Sequence, residues 1–189
     1  LNIAYEKRDR NASEILYLNQ DMRELDLYST VGTVYCLCDG LNYLTETEDI
    51  ETVFSLVYNF LYPGGLFIFD FNTVHKYRDV IGNRTIAENR DDVSFIWENT
   101  YDEENEINEY DLTVFARAEL YDYNEEEQSE EKDLFRRFEE IHYQRGYSLK
   151  IMEEMLRKTG FSIVKTFDEE DSSPGDSSER IFAVARKDR

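Results

Sequence analysis

The stretch Leu61-Tyr62-Pro63-Gly64-Gly65-Leu66-Phe67-Ile68-Phe69-Asp70-Phe71-Asn72 narrows the possible folds more than any other part of the chain. Upstream, Ile50, Val53, Phe54, Val57, Phe60 and Leu61 recur at the spacing of one helical face, and Thr45 with Glu48 reads as a capping box at the helix start. Pro63 cannot continue that helix and the glycine pair supplies positive φ, so the chain is expected to reverse there. Residues 66–69 then form a continuous apolar run, as in strands covered on both faces, and Asp70 falls at the strand's carboxyl end. Ligands of open parallel α/β sheets bind outside those ends, which directs attention to Asp70 and what surrounds it.

A parallel sheet is also what the flanking chain implies. Residues 1–8 read as the rear half of a helix, residues 15–18 as a short strand, and residues 31–37 as a second strand leading into Cys38-Asp39-Gly40-Leu41-Asn42-Tyr43. Strand, connection, strand, helix and strand in that order describe right-handed crossovers. After Asn72 the period changes. Val93, Phe95, Trp97 and Tyr101 alternate with polar neighbours, as do Tyr110, Leu112, Val114, Ala116 and Ala118, with an acidic turn at residues 102–106 and a third antiparallel strand at 134–143. The acidic run 125–131 reads as a solvated loop. Ser148 caps a helix carrying Leu149, Met152, Met155 and Leu156 and ended by Gly160, followed by strands at 161–167 and 180–185.

Composition limits the partners. Asp and Glu number 42 against 21 Lys and Arg, a formal charge of −21, which argues against nucleic-acid binding by bulk electrostatics. No apolar run approaches the ~20 residues of a membrane span and no leader pattern opens the chain, so a cytoplasmic location is expected. Cys36 and Cys38 are the only cysteines; two positions apart on a strand they suit neither a disulfide nor, alone, a zinc site, and no metal is expected.

Several segments, taken in order, resemble the class I S-adenosylmethionine-dependent methyltransferases, in particular small bacterial-type members with an antiparallel insertion. They are Gln20-Asp21-Met22-Arg23-Glu24-Leu25, Asp39-Gly40-Leu41-Asn42-Tyr43-Leu44, Leu61-Tyr62-Pro63-Gly64-Gly65, Phe69-Asp70-Phe71-Asn72-Thr73, His142-Tyr143-Gln144-Arg145-Gly146-Tyr147 and Met155-Leu156-Arg157-Lys158-Thr159-Gly160-Phe161. The resemblance implies an α/β, Rossmann-like doubly wound sheet at 1–84 and 147–189, with an antiparallel β insertion at 85–146 acting as a substrate lid. It implies S-adenosylmethionine as cofactor, held by Asp21 at the adenine amine, by the Met22 main chain at a ring nitrogen, and by Leu37, Cys38 and Asp39 toward the methionine portion. A turn-stabilising role for Asp21 and plain buried strand ends at Leu37 and Cys38 are the structural alternatives.

The family's glycine-rich loop and acidic ribose-binding residue have no counterpart here, and no GxGxG occurs. Relative to the family, the sequence starts inside the helix after the second strand. A homodimer or a completing N-terminal segment is therefore expected as partner, and no cofactor is expected on the chain alone.

Methyl transfer to a small molecule is the first functional reading, with a non-catalytic binding or scaffold protein of the same fold as the alternative. A nicotinamide-dependent reductase is disfavoured by the absence of a Tyr-x-x-x-Lys pair and of a dinucleotide glycine fingerprint. If the acceptor must lose a proton, His142 is the candidate base, with a structural histidine as the even alternative. His75 reads more readily as a surface histidine and Arg145 as the partner of a nearby glutamate, while Trp97, Tyr101 and Tyr110 suit sheet packing or a substrate wall.

Overall fold

The helical stripe of residues 50–61 closes onto a sheet in the computed structural model, which describes residues 2–11, 14–118 and 134–188. Helix α1 (Asn2–Arg10) is followed by a 3-10 turn (Met22–Glu24), strand β1 (Val31–Cys36), a second 3-10 turn (Gly40–Tyr43), α2 (Thr47–Phe60) and β2 (Leu61–Asn72). Then come a π-helical turn (Lys76–Ile81), β3 (Thr85–Asn89), β4 (Val93–Asp102), β5 (Ile107–Arg117) and β6 (Phe135–Arg145). Helix α3 (Leu149–Lys158), β7 (Phe161–Asp168) and β8 (Arg180–Lys187) complete the order.

Two four-stranded sheets result. The first runs β1-β2-β8-β7, with β1 parallel to β2 and β8 antiparallel to both β2 and β7; the second runs β3-β4-β5-β6, antiparallel throughout. The expected hairpin is present, with Phe95 opposite Val114 and Tyr101 opposite Asn108. The expected terminal antiparallel pair is present too, Ile163 facing Ala185 and Thr166 facing Ala183.

The core fills the space between the first sheet and its two helices. Phe67, Phe69 and Phe71 are fully buried with Ile50, Phe54, Val57, Met152 and Leu156, and the Phe54 ring lies 5.5 Å from Phe67 and 5.3 Å from Phe69. Each such aromatic buries enough surface to contribute about 1.5–3 kcal/mol relative to exposure. A smaller cluster, Tyr77, Ile81 and Tyr101, seats the π-helical turn against the second sheet. Ser148 Oγ accepts from the Ile151 N–H as the cap of α3, and Gly160 follows it at φ +97°.

Several expectations are corrected. Residues 15–18 run outside both sheets, with Ile15, Leu16 and Leu18 exposed, because an apolar run becomes a strand only where a partner strand presents its hydrogen-bonding edge. Thr45 does not cap α2; the N-cap is Glu46 and its side chain makes no capping bond. The Pro63-Gly64-Gly65 turn does not break the chain from the sheet: β2 begins directly at Leu61, and Gly64 at φ +84° lies where the ladder to β1 slips. Strand β2 also runs past Asp70 to Asn72, and over residues 66–69 it is deeply covered on one face only, Leu66 and Ile68 being half-buried, while Asp70 and Asn72 farther along that second face are buried. Neither β3 nor the π-helical turn was expected. The acidic run 125–131 lies outside the described residues.

Candidate active site at the carboxyl rim

Strand β1 ends at Cys36, opposite Phe69 of β2, and the chain then turns sharply. Cys38 and Asp39 both adopt left-handed conformations, φ 63° and 52°. Such conformations cost non-glycine residues about 1–3 kcal/mol each, so neighbouring groups must hold the turn in place.

Three strands, β2, β6 and β8, supply those groups. The Asp39 N–H donates to Asp70 Oδ1 at 3.1 Å. Arg180, at the start of β8, donates from Nη2 to Asp39 Oδ1 at 3.0 Å and from Nη1 to Asp70 Oδ2 at 2.7 Å. Gln144, near the end of β6, donates to Asp39 Oδ2 at 2.8 Å and accepts from the Tyr77 hydroxyl at 2.9 Å. Asp70 is 1% exposed, so the guanidinium is what compensates its burial. Burial by itself would lower the Arg180 pKa, but Asp70 and Asp39 outweigh it and hold the group raised.

The same seam continues through amides. Asn42 donates to the carbonyls of Asn72 at 2.9 Å and Arg145 at 2.7 Å and accepts from the Asn72 N–H at 2.9 Å. Asn72 in turn donates to the Tyr77 hydroxyl at 2.9 Å, and burial raises the Tyr77 pKa far above the phenolic range. The insertion sheet is thereby tied to the rim by polar side chains, of which Asn72 keeps one buried atom, Oδ1, without a hydrogen-bond partner.

Next to this seam lies a second group. The Tyr43 hydroxyl is 2.9 Å from both the Tyr110 hydroxyl and His142 Nδ1, and His142 Nε2 is 3.1 Å from Glu140 Oε2. The Tyr110 ring stacks on His142 at 4.6 Å and 16°, and Trp97 meets Tyr110 edge-on at 5.3 Å. Tyr43 follows Asn42 in the rim turn while His142 precedes Gln144 by two on β6, so the rim turn meets the second sheet at this phenol–imidazole contact.

Asp21 caps the first 3-10 turn rather than joining this cluster. Its Oδ1 accepts from the Arg23 backbone N–H and Nε, both at 2.9 Å, its Oδ2 accepts from Nη2 at 2.7 Å, and Arg23 reaches on to Asp49 of α2. These hydrogen bonds lower the Asp21 pKa to about 2. Met22 beside it packs on the main core. Leu37 and Cys38 are exposed at the end of β1, and both cysteines are free thiols; burial, followed by the charge of Asp70, pushes Cys36 up to about 11.

The other candidates are occupied. His75 Nδ1 lies 2.8 Å from Asp79 Oδ2. Arg145 donates to the Thr45 carbonyl at 2.9 Å and lies 3.5 Å from Glu106. Tyr101 belongs to the smaller core. Arg180, the strongest organiser of the rim, went unnoticed in the sequence, although placing β8 antiparallel to β2 would have put it opposite Asn72, two residues beyond Asp70.

The residues present suit S-adenosylmethionine in their donor chemistry. Each carboxylate oxygen has about two acceptor sites, so Asp21 Oδ2, with one donor, retains a place for an adenine amine. Asp39 and Asp70 against Arg180 leave the rim one formal negative charge, compatible with a cationic cofactor. Among the described residues no helix is long and apolar enough to cross a membrane.

No protein-family model matches the chain. It is 32% identical over 182 residues to a Bacillus subtilis (strain 168) protein named "Putative methyltransferase YqeM", covering 95% of this chain and 68% of that protein. A Geobacillus sp. (strain WCH70) protein of the same description is 30% identical over 188 residues, covering 99% and 71%. Among solved structures, an S-adenosylmethionine-dependent methyltransferase from Clostridium acetobutylicum ATCC 824 superposes with a TM-score of 0.86 at 24% identity, over 100% of this chain and 71% of that one. With this identity and a sheet of matching architecture, the chain belongs to the class I S-adenosylmethionine-dependent methyltransferases.

Proposed function

We propose that this methyltransferase acts on a small molecule and uses His142 as the base that receives the acceptor's proton. The observation that carries the reading is the contact between His142 on β6 and Tyr43 on the rim turn, two residues from the Gln144–Asp39 bond. A nucleophile approaching the rim meets an imidazole backed by a carboxylate.

S-adenosylmethionine supplies, when bound, an electrophilic methyl carbon whose bond to sulfur breaks with the electron pair kept by sulfur. The protein's work is alignment and exclusion of water. Asp21 and the Met22 main chain would hold the adenine, and the exposed backbone at Leu37 and Cys38 would face the methionine portion. Arg180 and Gln144 each bind one oxygen of Asp39, so it fixes the turn that presents Cys38 and keeps an acceptor site on each oxygen toward the methionine portion. The insertion sheet standing over the rim favours a compact acceptor, and the charge of −21 disfavours a nucleic acid. Two free thiols fit a reducing, cytoplasmic setting.

The test is transfer from methyl-labelled S-adenosylmethionine in the presence of a panel of small amines, phenols and carboxylic acids, with RNA and unfolded protein as further arms. Label is expected on a small molecule. Label found only on RNA or protein overturns the proposal.

A further inference from the structure

We infer that Tyr43 is a catalytic residue, the group that takes the proton from the acceptor nucleophile while passing its own to His142. This rests on the reading of His142 as the base and specifies how a proton reaches it.

The hydrogen bonds around Tyr43 are consistent with one arrangement of protons when His142 is neutral. Glu140 Oε2 lies 3.1 Å from His142 Nε2, and a carboxylate only accepts, so the ring proton belongs on Nε2 and Nδ1 carries the lone pair. Nδ1 is 2.9 Å from the Tyr43 hydroxyl, which must therefore donate to it. A phenol has a single proton. With that proton committed, the 2.9 Å contact between Tyr43 and Tyr110 is a donation from Tyr110. Burial, reinforced by the bond to Tyr43, raises the Tyr110 pKa and keeps that donor protonated.

The accounting leaves one vacancy. A hydroxyl oxygen has two acceptor sites, Tyr110 fills one on Tyr43, and the second is unused by the described residues. Tyr43 is also accessible, 44% exposed, whereas the His142 side chain is 23% exposed and lies beneath the Tyr110 ring. An acceptor N–H or O–H reaches the phenol oxygen more readily than the imidazole behind it.

The step balances without any further reactant. The nucleophile's proton moves to Tyr43 Oη as the Tyr43 proton moves to His142 Nδ1, so the phenol stays neutral and the imidazole becomes a cation. Glu140 and the face of the Tyr110 ring stabilise that cation. The lone pair freed on the nucleophile forms the new bond to carbon.

Tyr43→Phe removes the relay atom and keeps the ring. Long-range proton–nitrogen NMR of histidine-labelled protein is expected to show His142 in the Nε2–H form, with its Nδ1 resonance moving toward that of an unbonded ring nitrogen in the variant. An Nδ1–H tautomer in the parent protein overturns the inference whatever the activity. With any panel acceptor that the parent methylates, Tyr43→Phe is expected to lower kcat by about 10²–10⁴-fold with affinity for S-adenosylhomocysteine within about twofold. Parental turnover in the variant also overturns the inference. Loss with His142→Gln but none with Tyr43→Phe separates the two readings, sparing His142 as base and removing Tyr43. Tyr110→Phe, which deletes a donor outside the proton path, is expected to cost much less.

Discussion

Replacing Arg180 with methionine should destabilise the protein more than any other single change at the rim. Among the described residues the guanidinium is the only cation bonded to Asp70, at 2.7 Å, and it also binds Asp39 at 3.0 Å. Asp70 is buried, so the variant keeps a carboxylate in the interior with only the Asp39 N–H beside it. Breaking a buried pair by removing one partner costs about 3–5 kcal/mol; with the Arg180 side chain 22% exposed, the lower end, about 3 kcal/mol, is the expected value. In a domain of this size 1 kcal/mol moves Tm by about 2–4 °C, giving a fall of about 6–12 °C. Urea unfolding followed by circular dichroism and by the single tryptophan, Trp97, measures it, the tryptophan reporting the insertion sheet. Adding Asp70→Asn should return at least about 1 kcal/mol, because an amide keeps an oxygen for the Asp39 N–H while removing the stranded charge. A loss under about 1 kcal/mol, or a double variant no more stable than the single one, would refute the reasoning.

Asp21 offers a pH test: its pKa is lowered from 3.8 to about 2, so its contribution to stability is complete above pH ~4 and is lost as pH falls through the folded value. A carboxyl-carbon NMR titration should place the Asp21 midpoint near 2, and Arg23→Ala should return it toward 3.8. Thiol labelling at pH 8 should modify exposed Cys38 well before Cys36, whose pKa burial raises to about 11; equal rates would contradict the burial of Cys36. Gly82→Ala should cost about 1–3 kcal/mol, since a Cβ there would stand 2.3 Å from the Tyr77 carbonyl oxygen, and an unchanged Tm would show that the π-helical turn yields easily.

What the sequence made legible was local or periodic. The apolar face of α2, the alternation of β4 and β5, and the serine and glycine bounding α3 each lie within a single element, where spacing decides. Residues 15–18 misled because their apolar run carries no information about whether a strand edge lies beside it. Pro63-Gly64-Gly65 misled in the other direction: positive φ at Gly64 marks a turn in most settings, but here the irregular ladder between β1 and β2 absorbs it. The polar rim was hidden for a different reason. Gln144 and Arg180 lie 105 and 141 positions from Asp39, and no local pattern distinguishes them from solvated residues until the sheet registers are known.

Those registers also decide how the insertion can act on an acceptor. A lid that swings freely would join the sheet through loops, yet the end of β6 is bound on every side. Gln144 holds Asp39, Asn42 holds the Arg145 carbonyl, Tyr147 donates to the Leu44 carbonyl, and a Cβ on Gly146 would stand 2.7 Å from Val74 Cα. At about 1 kcal/mol net for each hydrogen bond, releasing this end would cost several kcal/mol before any acceptor contributed. His142 and Tyr110 lie only a few residues from that anchored end, on neighbouring strands and in direct register. The imidazole is therefore held against Tyr43 by the same bonds that shape the Cys38–Asp39 turn, and a change at Asp39, Gln144 or Arg180 should disturb that turn and the Tyr43–His142 contact together.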